Sequence, residues 1–131
     1  MQEDWLFVYG TLRSGFDGAM AIELRTRARH VGSASTTGTL YHVADYPGFV
    51  PGPHGRVTGD LFALGDPGGV LAWLDDYEEC TPAHPVPHEY RRERLWVEGP
   101  SGAVQAWTYI YAHDVAGLAP VKDGDFLTGA G

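Results

Sequence analysis

A single cysteine, Cys80, among 131 residues leaves no partner for an internal disulfide, which sets the chain apart from small disulfide-stapled secreted scaffolds. Basic residues are also scarce. Nine Lys and Arg stand against seventeen Asp and Glu, a net charge of -8, and both nucleic acid and an anionic membrane surface want a basic stripe. Neither is expected as a partner, and a small-molecule ligand is the default. No leader and no long apolar run opens the chain at Met1-Gln2-Glu3-Asp4, so a cytoplasmic location is expected. There is no internal repeat, low-complexity tract or long linker, and 1–131 reads as a single domain long enough to bury a real core.

What is present starts with Phe7-Val8-Tyr9-Gly10-Thr11-Leu12-Arg13. Leu6, Phe7 and Val8 suit a buried strand, and Gly10 then lacks the Cβ that would block a sharp turn or the close approach of a ligand. A strand that breaks at a glycine presents backbone N–H groups of the kind that hold an anion or an oxyanion. The plain alternative is a strand-end turn.

The second feature is Val70-Leu71-Ala72-Trp73-Leu74-Asp75-Asp76-Tyr77-Glu78-Glu79. It reads as a helix capped by Asp66, with Pro67 in its first turn. At about 100° per residue from Val70, Glu78 falls near about 80°, between Leu74 and Leu71. Asp76 and Glu79 point away from the apolar stripe and Asp75 lies on its border, so these three read as a solvated acidic face. Glu78 differs: a carboxylate among apolar neighbours is desolvated, its pKa rises, and it becomes able to take and return a proton near neutral pH. The acids also crowd the helix C-terminus, where the macrodipole disfavours negative charge.

Cys80 follows Glu78 closely, but no histidine and acid at a recognisable spacing support it as a nucleophile, and it reads as a bystander thiol. A metal site from His84, His88 and Glu89 would need both imidazoles on one helix face, and Pro85 and Pro87 oppose a helix there. The other histidines, His30, His42, His54 and His113, are scattered. No metal is expected.

Along the chain the pattern predicts a strand at Leu6 to Tyr9, a helix at Ala19 to Arg27, and a strand at Arg29 to Val43 with bends or bulges at Gly32 and Gly38. A strand at Arg56 to Leu64, the Glu78 helix, and strands at Tyr90 to Glu98 and Val104 to Ala112 follow, the last two joined by Gly99-Pro100-Ser101-Gly102. This order fits an α+β domain, a mainly antiparallel sheet curling into a barrel-like body with a few flanking helices. Gly129-Ala130-Gly131 read as frayed. Tyr90 and Arg92 share one face of their strand; a structural role would have the tyrosine hydroxyl anchor the Glu78 loop and the arginine pair with Asp75, Asp76 or Glu79. Tyr109 and Tyr111 alternate in the same way and are candidates to line a pocket.

Taken in order, Val8-Tyr9-Gly10-Thr11-Leu12, Leu74-Asp75-Asp76-Tyr77-Glu78 and Tyr90-Arg91-Arg92 resemble the γ-glutamylcyclotransferase family, including its AIG2-like bacterial members. The resemblance runs from Leu6 to the Trp107-Thr108-Tyr109-Ile110-Tyr111 strand, and Gly124-Asp125-Phe126 looks like the Gly-Asp-aromatic ending of many bacterial relatives. It implies a small mixed barrel with its site at one mouth. The implied activity is intramolecular aminolysis of a γ-glutamyl amide to 5-oxoproline and a free amine, with Glu78 as general acid/base. Tyr9, Gly10, Thr11, Leu12 and Tyr90 would be substrate-binding, the loop giving N–H donors to the substrate carboxylate or the oxyanion. No cofactor is implied, because the nucleophile belongs to the substrate.

One departure stands out: eleven residues, among them Pro82, Pro85 and Pro87, separate Glu78 from Tyr90, where some relatives have a handful. Such a proline-stiffened loop is expected to form one wall of the pocket. The competing function is a non-catalytic module that holds a small carboxylate. An acid at position 78 opposes it, since a buried negative charge repels such a ligand unless it faces an ammonium group. A third reading is removal of a γ-glutamyl protecting group from a larger amine by the same chemistry.

Overall fold

The computed structural model describes residues 4–10, 12, 13 and 18–126; Thr11 and the Gly129-Ala130-Gly131 tail lie outside the described residues. In chain order the elements are β1 (Asp4–Val8), α1 (Ala19–Arg27), β2 (Arg29–His42), β3 (Pro47–Leu64), α2 (Pro67–Tyr77), β4 (Tyr90–Gly99) and β5 (Gly102–Tyr111), followed by a short 3-10 turn at Lys122–Gly124. The strands close into a barrel in the order β1-β3-β2-β4-β5. All neighbours are antiparallel except β1 and β5, which run parallel where they seal the cylinder. The α+β barrel expected from the pattern is the observed fold.

The two glycines expected to bend β2 do so. Register shifts in the β2–β3 ladder fall between His30 and Gly32 and between Thr37 and Gly38. At the second, the partner jumps from Arg56 to Pro51, so residues 52–55 leave the ladder as a large bulge that tightens the local twist. β3 therefore starts at Pro47, nine residues before the expected Arg56. Pro51 and Pro53 disguise that first half, because proline removes a ladder donor and reads as a strand breaker.

Alternation along β1 sends side chains to two cores. Phe7 faces inward with Leu40, Phe49, Val57, Leu61 and Ile110, all nearly inaccessible. Leu6 and Val8 face outward, where Leu24 of α1 and Val70, Leu71 and Leu74 of α2 cover the wall together with Phe62 and Leu64. Burying one such side chain is worth about 1.5–3 kcal/mol, and this clamps α2 against the barrel so that its C-terminal end overhangs the end of β1.

Candidate active site

The Asp66 carboxylate caps α2 by accepting from the Gly69 N–H at 3.2 Å, and Pro67 opens the first turn. At the other end the helix stops at Tyr77, and Glu78 is its C-cap with φ -81° and ψ -1°. That conformation keeps the right-handed rotation, so Glu78 still points where a continued helix would send it. The stop is a Schellman motif: the Cys80 N–H donates to the Asp75 carbonyl at 3.0 Å and the Glu79 N–H to that of Asp76 at 3.1 Å. Its left-handed position, most often a glycine, is Glu79 at φ 57°.

Glu78 lines a cavity of about 510 Å³. Burial, and secondarily the charge of Glu89 across the same space, push its carboxyl up to about 7. At the closed end are Phe7, Val8, Tyr9, Gly10 and Leu12 with the rings of Tyr90 and Tyr109, all buried; at the open end are Asp45, Tyr46, Tyr77, Glu79 and Glu89. The chain turns sharply at the closed end, the Arg13 N–H donating to the Gly10 carbonyl at 3.1 Å. A Cβ on Gly10 would come within 2.8 Å of Pro47 Cγ, so only glycine lets this turn lie against the start of β3. Glu78, Tyr9, Gly10, Leu12 and Tyr90 thus share one cavity; Thr11 lies outside the described residues.

The hydroxyls of Tyr9, Tyr46, Tyr90 and Tyr109 are already engaged. Tyr9 donates to the Tyr109 carbonyl, and burial chiefly, then the nearby Glu78 charge, raises its pKa. Tyr90 donates to the Pro47 carbonyl at 2.7 Å. It therefore anchors the start of β3 and not the Glu78 loop. Tyr46 donates to a Glu89 carboxylate oxygen at 2.6 Å.

Arg92 pairs with Asp75 through two bonds, 2.8 Å from Nε and 3.1 Å from its outer nitrogen, and the Tyr109 hydroxyl donates to the same carboxylate at 2.7 Å. Asp75 therefore does not belong to a solvated acidic face: it ties the last turn of α2 to β4 and β5. The Arg92 guanidinium also lies 4.5 Å from the Trp107 ring centre. Cys80 keeps its thiol near the Asp75 carbonyl oxygen at 3.7 Å, and burial pushes its pKa up to about 11, which removes it as a ready nucleophile.

The proline-rich segment is not a wall of the cavity. Only its ends, Glu79 and Glu89, line that space, because the segment folds back on itself: His84 Nδ1 lies 2.8 Å from Thr81 Oγ1, and His88 Nε2 is 3.3 Å from the His84 carbonyl. Among the described residues no three His, Cys, Asp or Glu side chains converge as a metal-ligand set, and no described helix is long and apolar enough to cross a membrane. Sequence reasoning missed Asp45, Tyr46, Pro47 and the placement of Glu89 at the mouth. They come from separate connections and share no local spacing; the aromatic-Pro-Gly run at Tyr46-Pro47-Gly48 was the one available turn signal.

Comparison with known proteins agrees with this fold. An AIG2-like protein from Mus musculus superposes with a TM-score of 0.73 at 26% identity, over 95% of this chain and 90% of that one. YtfP from Escherichia coli is 31% identical over 97% of this chain and 99% of its own, with a TM-score of 0.65. A structure titled gamma-glutamyl cyclotransferase shares the fold at 12% identity and a TM-score of 0.61, over 91% of this chain and 70% of that one. No curated protein sequence matches. The family model described as gamma-glutamyl cyclotransferase, AIG2-like, matches residues 6–128, and the chain belongs to that family.

Proposed function

We propose that the protein cleaves a γ-glutamyl amide by intramolecular attack of the substrate α-amine, giving 5-oxoproline and a free amine. The observation that carries this reading is Glu78, a carboxyl held near neutrality inside a cavity whose closed end is the Gly10 turn. The Glu78 carboxylate takes a proton from the substrate α-ammonium. The freed amine attacks the γ-carbonyl, the new C–N bond closes a five-membered ring, and the γ-oxygen becomes an oxyanion. Protonated Glu78 then delivers its proton to the departing nitrogen as the original amide C–N bond breaks, and the carboxylate so regenerated takes the second proton from the ring nitrogen and passes it to the released amine, which leaves as an ammonium. One residue serves every transfer, and ring closure gains from an already intramolecular geometry. Backbone N–H groups of Gly10 and Leu12, in the turn that the Arg13 N–H closes, are the donors for the substrate carboxylate or the oxyanion, where one well-aimed donor is worth about 3 kcal/mol.

The glutamyl half, common to all such substrates, fits the closed end, and the departing amine fits the mouth. Asp45, Glu79 and Glu89 stand there, with no Lys, Arg or His among the described lining residues. Unit charges about 5 Å apart interact by roughly 1–3 kcal/mol near a protein surface, so an amine carrying a further positive charge is favoured over an amino acid, whose carboxylate would face three others.

The test is mass-spectrometric detection of 5-oxoproline from γ-glutamyl amino acids and from mono- and diamine γ-glutamyl amides, with wild type and Glu78→Gln in parallel. Release by wild type alone supports the cyclotransferase, and a kcat/KM at least about tenfold higher for the cationic amides supports the mouth assignment. No release from any substrate favours a carboxylate-binding module; full activity of Glu78→Gln overturns the role of Glu78.

A further inference from the structure

The mechanism leaves unused the Gly124-Asp125-Phe126 motif and the arginine that ends the Gly10 turn. Arg13 is not a cavity-lining residue. Its backbone N–H closes the turn on Gly10, while its side chain runs away from the cavity and is almost wholly buried. There Nε bonds Asp60 of β3 at 3.1 Å, a carboxylate that also lies 3.2 Å from His30 Nε2, and a terminal guanidinium nitrogen bonds Asp125 at 2.7 Å.

Asp125 arrives on a segment that is itself tied down. Residues before it zip onto β2, the His42 N–H donating to Ala119 and the Val121 N–H to the Leu40 carbonyl at 2.8 and 2.6 Å. Gly124, at φ 65°, passes so close to the Arg56 carbonyl that a Cβ has no room. Phe126 is buried and packs near the His42 ring. Glycine lets the chain graze β3, the aromatic plugs the core, and the aspartate between them is thereby aimed at Arg13.

We infer that this C-terminal segment is a strap whose Asp125, acting through Arg13, fixes the turn that the Arg13 N–H closes on Gly10 in the shape that presents the Gly10 and Leu12 N–H groups to the substrate. Asp125 and Arg13 are positioning residues, and their effect on turnover rests on the reaction proposed above. A buried guanidinium held by carboxylates from two elements is a poor way to gain stability compared with apolar packing, yet a specific way to hold one geometry.

The experiment combines amide hydrogen exchange by NMR with steady-state kinetics on the full chain, comparing wild type, Asp125→Asn and Arg13→Lys; the last keeps the charge but not the fork. The strap requires exchange of the Arg13 N–H to rise at least about tenfold while barrel amides such as Phe62 and Ile110 keep theirs. It also requires kcat/KM to fall at least about fivefold with the pH limb of Glu78 unmoved. Unchanged Arg13 exchange, or a uniform rise across the barrel, overturns it, as does unchanged kcat/KM in an active wild type. Should wild type release no 5-oxoproline, the proposed reaction fails and the exchange pattern alone decides the strap.

Discussion

The ring of Pro47 occupies the space in which a side chain on Gly10 would begin, 2.8 Å from the nearest Cβ position. Pro47 has little freedom to step aside, because its carbonyl receives the Tyr90 hydroxyl at 2.7 Å. Gly10→Val is therefore expected to displace the turn, with a stability loss of about 1–3 kcal/mol by chemical denaturation and a kcat/KM reduced at least about a hundredfold. Unchanged kinetics would remove the turn from the mechanism.

The pH profile follows from Glu78. As the initial base of the proposed reaction it works ionised, so kcat/KM is expected to rise with pH to half its plateau near 7. Glu89 raises that value, so Glu89→Gln is expected to move the limb to lower pH; a limb that stays put would break the coupling between the two carboxyls. Stability runs the other way. Between 4.5 and about 7 the folded protein keeps the Glu78 proton that the unfolded chain has released, so stability falls as pH rises through that window. Glu78→Gln should lack this slope in urea titrations at several pH values.

Asp75 joins three elements through one carboxylate. Asp75→Ala is expected to cost about 1–3 kcal/mol, since it leaves the Arg92 guanidinium and the Tyr109 hydroxyl without their partner. A double-mutant cycle with Arg92→Met should return a coupling of about 0.5–3 kcal/mol, and additivity would show the pair to be incidental.

Glu79 holds a left-handed conformation that costs a non-glycine residue about 1–2 kcal/mol. Glu79→Gly is expected to raise stability by about 0.5–1 kcal/mol after the glycine entropy cost, a gain of a few degrees in thermal melting. A loss instead would mean that its carboxylate holds the Schellman turn through a contact worth more than the strain.

Local patterns carried far in this chain where the physics is local. Gly32 and Gly38 mark the register shifts of β2 because each permits backbone that other residues avoid. The helical wheel picked out Glu78 although the helix ends one residue earlier, since the C-cap keeps the helical turn. It read Asp75 as solvated, whereas strand alternation had offered Arg92 as a partner for one of the helix-end acids, and Asp75 is the one it meets, 17 residues away in another element. The first half of β3 was hidden by its prolines, and the mouth acids Asp45 and Glu89 meet only once the barrel has closed.

That closure sets when the cavity can form. The parallel seam between β1 and β5, and the Tyr9 hydroxyl on the Tyr109 carbonyl, join residues about 100 positions apart. Contacts so distant in sequence must meet a large loop-closure cost before they return any stabilisation, which makes them late and slow to form. β1 can pair with β3 earlier, but the wall of the cavity that Tyr109 supplies is missing until β5 has joined, so the cavity is completed late in folding.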